Sequence, residues 1–148
     1  MPKVNLVTLR LVREQTVNYE KGLSGPAAAA ALATSLLEDL DRENFVSIYL
    51  DSKNRPIGVE RASIGTANSC LVAPGVVFRG ALLAAAVSVV FAHNHPSGDP
   101  TPSPEDYELT RILCEAGDLL GVRVVDHLVI GNNAWLSIRE LRPGLIWG

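Results

Sequence analysis

The chain has 148 residues, 47% of them hydrophobic and 20% charged, with a formal net charge of −3. That length and composition suit one folded domain with its own core, and they exclude a disordered, collagen-like or coiled-coil chain. The longest apolar runs fall short of the ~20 residues a membrane helix needs. The 13 lysines and arginines are scattered, and aromatic residues make up only 5%. Phosphate neutralisation needs clustered cations and base stacking needs aromatic platforms, so direct nucleic-acid binding is not expected.

Residues 4–13 alternate apolar and polar positions and read as a first strand or arm, with no charged-then-apolar leader. Cys70 and Cys114 form no disulfide framework, so a reducing cytoplasm is the expected compartment, and both read as small buried hydrophobes. Gly25-Pro26 marks a turn, with Pro26 at the first position of a helix. Leu32, Leu36, Leu37 and Leu40 then recur at helical spacing. Residues 45–50 are apolar on both faces, the pattern of a buried strand. A turn over 51–56 leads to a partner strand at 57–65, and 69–73 reads as another short strand. Pro74 opens a second helix running to about residue 86. Residues 87–92 form the most apolar strand.

A third helix is predicted over 103–120, with Leu109, Ile112, Leu113, Ala116 and Leu120 on one stripe and Gly121 ending it. Residues 122–130 and 134–138 read as a hairpin about Gly131-Asn132-Asn133. The tail 139–148 is expected to pack on the surface. The sum is a single α/β domain, a mixed sheet flanked by helices. Residues 1–40 supply an arm and first helix, 41–138 the core and 139–148 the tail.

Chemistry concentrates in HNHPSGDPTPSPED, residues 93–106. His93 and His95 lie two apart where the apolar strand runs out, and in an extended chain such side chains share a face. Both imidazoles can meet one metal ion, and zinc takes nitrogen at ~2.0–2.1 Å. The loop that follows is stiffened by Pro96, Pro100, Pro102 and Pro104. Beyond it Asp106 can return a carboxylate to the same ion, leaving a fourth tetrahedral position open, as catalytic zinc requires. Ser103, Pro104, Glu105 and Asp106 also read as a helix start with a serine cap. On that reading Asp106 serves the cap unless it faces the histidines. Asp99 is a rival ligand on spacing, although Gly98 and Pro100 beside it suit an ordinary turn.

The segment resembles the zinc signature of the JAB/MPN (JAMM) metalloproteases: His-x-His, seven residues, serine, two residues, aspartate. His93, His95, Ser103 and Asp106 stand at that full spacing. The wording resembles the bacterial RadC branch, as do LDSKNRPIG (50–58), IGTANS (64–69) and DHLVIG (126–131). Residues 1–40 nevertheless read as an arm and one helix, without the helix-hairpin-helix segment common in that branch.

The resemblance implies a cytidine-deaminase-like JAB/MPN fold and a zinc-dependent peptidase or isopeptidase. It implies that His93, His95 and Asp106 hold Zn2+, that Ser103 stabilises the oxyanion, and that a glutamate near the first central strand acts as general base. Glu43, just before strand 45–50, is the favoured base, and Glu60 in the next strand is the alternative. The implied partner is a peptide or protein substrate, including an isopeptide-linked ubiquitin-like tail; a homo-oligomer fits as well. Two other readings remain open, a DNA-repair-associated role and a non-catalytic scaffold. His127 is read as a structural histidine oriented by Asp126, with a role beside the metal or the substrate as the alternative.

Overall fold

The computed structural model describes residues 1–19, 23–37, 41–62, 72–145 and 147. Helix α1 (Pro26–Leu37) is followed by strands β1 (Phe45–Leu50) and β2 (Pro56–Ala62), then helix α2 (Pro74–Leu83) and strand β3 (Ser88–Asn94). Helix α3 (Pro104–Leu120), strands β4 (Arg123–Ile130) and β5 (Trp135–Ser137), and a short helix α4 (Ile138–Leu141) complete it. The five strands form one sheet in the order β2-β1-β3-β4-β5. β3 and β4 are parallel, and the other neighbours pair antiparallel. The parallel pair needs a crossover, which α3 provides.

Every residue of β1 and β3 is buried, because both faces of the sheet are covered. The period-two alternation of a strand then sorts side chains into two cores. Phe45, Tyr49, Val89 and Phe91 pack with Val77 and Phe78 of α2 and Leu113 of α3. Val46, Ile48, Leu50, Val90 and Ala92 pack with Ala29, Ala30, Leu32 and Ala33 of α1. By the same alternation His93 continues the Val89–Phe91 row, and Asn94 continues the Val90–Ala92 row.

The α/β domain with a mixed sheet is as expected, with local differences. Residues 4–13 form no strand and are exposed, so the arm reading applies and not the strand. β3 continues two residues beyond 92, because β1 and β4 both offer partners: His93 pairs with Phe45 and Val129, and Asn94 pairs with Ile130. α2 stops at Leu83 and not near 86, since Ala85 takes a positive φ of 54°. The helix α4 was not expected; it starts where the Ser137 hydroxyl accepts the Glu140 N–H at 3.1 Å. In the tail, Trp147 packs against the α2/α3 core and its indole N–H donates to the Arg142 carbonyl at 2.9 Å. Of the strand expected at 69–73, Val72 and Ala73 are in no strand and the rest lies outside the described residues, as do Leu40, Cys70 and the IGTANS stretch. No helix among the described residues is long and apolar enough to cross a membrane.

Candidate metal centre

The carboxyl end of β3 meets the amino end of α3. There, ligating atoms of Glu43, His93, His95 and Asp106 all lie within 4.8 Å of one another. His93 Nε2 is 3.1 Å from His95 Nε2 and 3.2 Å from Asp106 Oδ1. His95 Nε2 is 3.0 Å from Asp106 Oδ2. Glu43 Oε1 stands further off, 3.8 Å from His93 Nε2. His93 and Asp106 are buried, whereas His95 and Glu43 are partly open.

The donor set fits a tetrahedral ion. Two ligands at ~2.0–2.1 Å and a tetrahedral angle lie about 3.3 Å apart, close to the three short separations above. The outer ring nitrogens point the same way. His95 Nδ1 is 2.8 Å from the Asp99 carbonyl oxygen, which can only accept. In the neutral ring the proton therefore sits on Nδ1, which leaves the Nε2 lone pair to face the cluster; the doubly protonated ring donates from Nε2 to Asp106 instead. Asp99 contributes its backbone and not its carboxylate: its Oδ1 accepts the Thr101 N–H at 3.0 Å and the Thr101 hydroxyl at 2.8 Å, and Asp99 is not among the clustered residues. The structure brings Asp106, and not Asp99, to the cluster.

The conflict between cap and ligand dissolves in the geometry. The Ser103 hydroxyl oxygen accepts the Asp106 N–H at 3.1 Å, and Asp106 Oδ2 accepts the Ser103 N–H at 2.9 Å. This is a complete capping box. The same carboxylate faces both histidines, since each oxygen has more than one lone pair. Burial by itself would raise the Asp106 pKa. Without an ion, hydrogen bonds from His93 and His95 outweigh it and hold the carboxyl far below the usual range. Conversely, the hydrogen bond to Asp106 raises the His95 pKa, against the opposing effect of burial.

Two sets of contacts outside the cluster, one from a side chain and one from backbone, hold its parts in place. Asn94 stands between the histidines in sequence. Its Oδ1 accepts the Asn44 N–H at 2.6 Å, and its Nδ2 donates to the Arg42 carbonyl at 3.0 Å. The backbone on either side of Glu43 is thereby pinned to the end of β3. The loop after His95 is held by close approach: the Gly98 carbonyl accepts the Asn132 N–H at 2.8 Å. Gly98 itself has a φ of 89°, and a Cβ on Gly131 would strike the Gly98 carbonyl and Pro100. Asn94 could have been suspected from its place between two candidate ligands, since alternation turns it to the opposite face.

Glu60 pairs with Ser47 across β1–β2 and carries its carboxylate under Gly80, beside the Tyr49 hydroxyl. It is not among the four clustered residues. Burial, reinforced by the Glu60 charge, raises the Tyr49 pKa. Asp126 does not orient the His127 ring. It accepts the His127 and Arg139 backbone N–H groups at 2.7 and 3.2 Å and the Ser137 hydroxyl at 2.7 Å, tying β4 to α4. The His127 ring instead lies against His93, where burial holds its pKa well below the ordinary value. Cys114 is buried in the core, and burial pushes its thiol up to about 12.

The fold and this cluster define an α/β domain with a candidate His-His-Asp-Glu metal centre. A family profile described as RadC-like JAB domain matches residues 23–144. The chain belongs to that family. It is similar to a UPF0758 protein of Desulforudis audaxviator, 45% identical over 114 residues, 77% of this chain and 50% of the relative. UPF0758 proteins of Moorella thermoacetica and Desulforamulus reducens are 44% and 46% identical, over 80% and 82% of this chain. The chain spans about half the length of the relatives it matches, 50% to 52%.

Proposed function

We propose that this domain is a zinc-dependent hydrolase that cuts a peptide or isopeptide bond. The observation that carries the reading is the convergence of His93, His95 and Asp106, with Glu43 beside them at 3.8 Å from the nearer ligating nitrogen. A bound zinc ion would supply Lewis acidity and an activated water near neutral pH. Glu43 is placed to take a proton on Oε1 and return it to the leaving amine. Ser103 Oγ spends a lone pair on the Asp106 N–H, which leaves its hydroxyl proton to donate to a carbonyl oxygen that gains charge.

A groove of about 550 Å³ adjoins the centre, with His95 in its wall. Small residues of α1, Ala27, Ala30 and Ala31, form one side, and Asn132 and Trp135 help form the other. Such a channel has room for an extended peptide segment, including the flexible tail of a ubiquitin-like protein, and His95 is the member of the cluster that it touches.

The test pairs metal analysis with hydrolysis of a panel of peptide and isopeptide substrates. The native chain should bind one zinc and cleave. Glu43→Gln should keep the zinc and lose cleavage by at least about 10²-fold, the low end expected of a lost general base. Cleavage at the native rate by Glu43→Gln, or by the metal-stripped protein, would overturn the reading.

A further inference from the structure

Only one nitrogen of His93 belongs to the cluster. The other, Nδ1, is 2.7 Å from His127 Nε2. His127 Nδ1 is 2.6 Å from Thr110 Oγ1, which lies 2.7 Å from the Asp106 carbonyl oxygen. All three side chains are buried, with relative exposures of 2% for His93, 0% for His127 and 1% for Thr110. The His127 ring is otherwise packed edge-on to Phe45 and Phe91, which offer it no hydrogen bond.

Each link of this chain carries one proton, so the links are oriented together. Suppose that the Thr110 hydroxyl donates to the Asp106 carbonyl. Its oxygen then accepts from His127 Nδ1–H, His127 Nε2 is bare and accepts from His93 Nδ1–H, and His93 Nε2 presents a lone pair to the cluster. In the opposite direction the hydroxyl donates to His127 Nδ1, and His127 Nε2–H donates to His93 Nδ1. The His93 proton must then sit on Nε2, where it blocks coordination. Only in the first direction are both hydroxyl contacts hydrogen bonds; in the second the 2.7 Å approach of Thr110 Oγ1 to the Asp106 carbonyl sets two acceptors against each other.

We propose that His127 and Thr110 are positioning residues for the metal: His127 Nε2 accepts the hydrogen bond from His93 Nδ1–H, Thr110 Oγ1 accepts that from His127 Nδ1–H, and the His93 Nε2 lone pair is thereby held toward the cluster. The inference rests on the metal-centre reading above and deepens it. Helix α3 would then serve the site twice, through the Asp106 carboxylate and, one turn on, through Thr110 bonded to the Asp106 carbonyl.

Thr110→Val keeps the shape of the side chain and removes the acceptor. Its zinc affinity, read by competition with a chromophoric chelator, should fall about 10- to 100-fold, the usual loss when an outer partner of a ligating histidine is removed. Thr110→Ser should restore native affinity. Nitrogen-15 NMR of the zinc-loaded native protein should find His127 and His93 each protonated at Nδ1. Native affinity in a folded Thr110→Val protein, or a His127 proton on Nε2 in the loaded native protein, would overturn the proposal. Should Thr110→Val not fold, the native spectrum decides alone. A loaded protein with the expected protonation that cleaves no substrate would overturn the hydrolase reading and leave the relay standing; an active enzyme whose zinc affinity ignores Thr110→Val would do the reverse.

Discussion

The carboxylate of Asp106 closes the capping box of α3 and faces both histidines at 3.2 and 3.0 Å, so nearby substitutions act on stability and chemistry together. Ser103→Ala removes the cap acceptor and the hydroxyl proton at once. Unfolding in denaturant should show a loss of about 0.5–2 kcal/mol. Turnover of the zinc-loaded protein should fall about 10²–10³-fold, as for a lost oxyanion donor. Ser103→Thr keeps both groups and should retain most of each; a Thr variant as impaired as Ala would remove Ser103 from the reaction.

His95 gives a pH dependence with a definite sign. Its hydrogen bond to Asp106 raises its pKa in the folded, metal-free protein. The stabilisation is therefore fully present below the unfolded value of about 6.5 and is lost as pH rises through the folded value. In chelator, the stability gap between native and His95→Ala should be widest near about pH 6 and shrink towards about pH 9. Zinc should reverse the trend, since coordination requires the neutral ring. A gap that widens with pH in chelator would contradict the assignment.

Among elements, the end of β3 does most to assemble the site. It delivers His93 to the α2/α3 side and Asn94 to the other, where Asn94 ties down the backbone at Arg42 and Asn44. Asn94→Ala should cost about 1–3 kcal/mol, the price of leaving a partly buried donor or acceptor unpaired. On the hydrolase reading it should lower turnover while zinc affinity holds, because Glu43 loses its seat and the three closer residues of the cluster do not. Chemical denaturation and chelator competition on the same variant test this, and a parallel loss of zinc would refute it.

Asn94 also shows where reading the sequence stops. β1, β3 and α3 were legible because an apolar run, a serine cap and a helical stripe are local patterns. The partners of Asn94 lie 50 and 52 residues away, and nothing local marks them. The same applies to Thr110, which reads as an ordinary helix residue until the fold brings His127 within 2.6 Å. Spacing alone leaves Glu43 and Glu60 open, since each adjoins a central strand; only the fold shows that Glu43, and not Glu60, lies in the cluster. Residues 4–13 misled in the other direction, because period-two alternation describes a strand only when a neighbour is there to pair with it.

At the scale of the molecule, the cluster lies where the parallel strands β3 and β4 end and the crossover helix begins, the usual place for a ligand in an α/β sheet. The two cores that hold this edge do not involve the first sixteen residues, all of which are exposed, Val4 and Leu6 at 96% and 102%. Deleting residues 1–16 should shift stability by no more than about 0.5 kcal/mol, as for surface changes that break no specific feature. A calorimetric scan would reveal a large drop if the arm supports the core.

The doubly employed Asp106 carboxylate has a mechanical consequence. Its charge is shared between two imidazoles and the opening turn of a 17-residue helix. Withdrawing a bound cation from such a centre would leave the imidazole lone pairs to settle their repulsion by capturing a proton, and the carboxylate would be drawn towards whichever ring held it. The leading amides of α3, joined to the same carboxylate through the Ser103 N–H, would share that pull. Emptying and filling the site would then be felt along the backbone as fraying and tightening at 104–107.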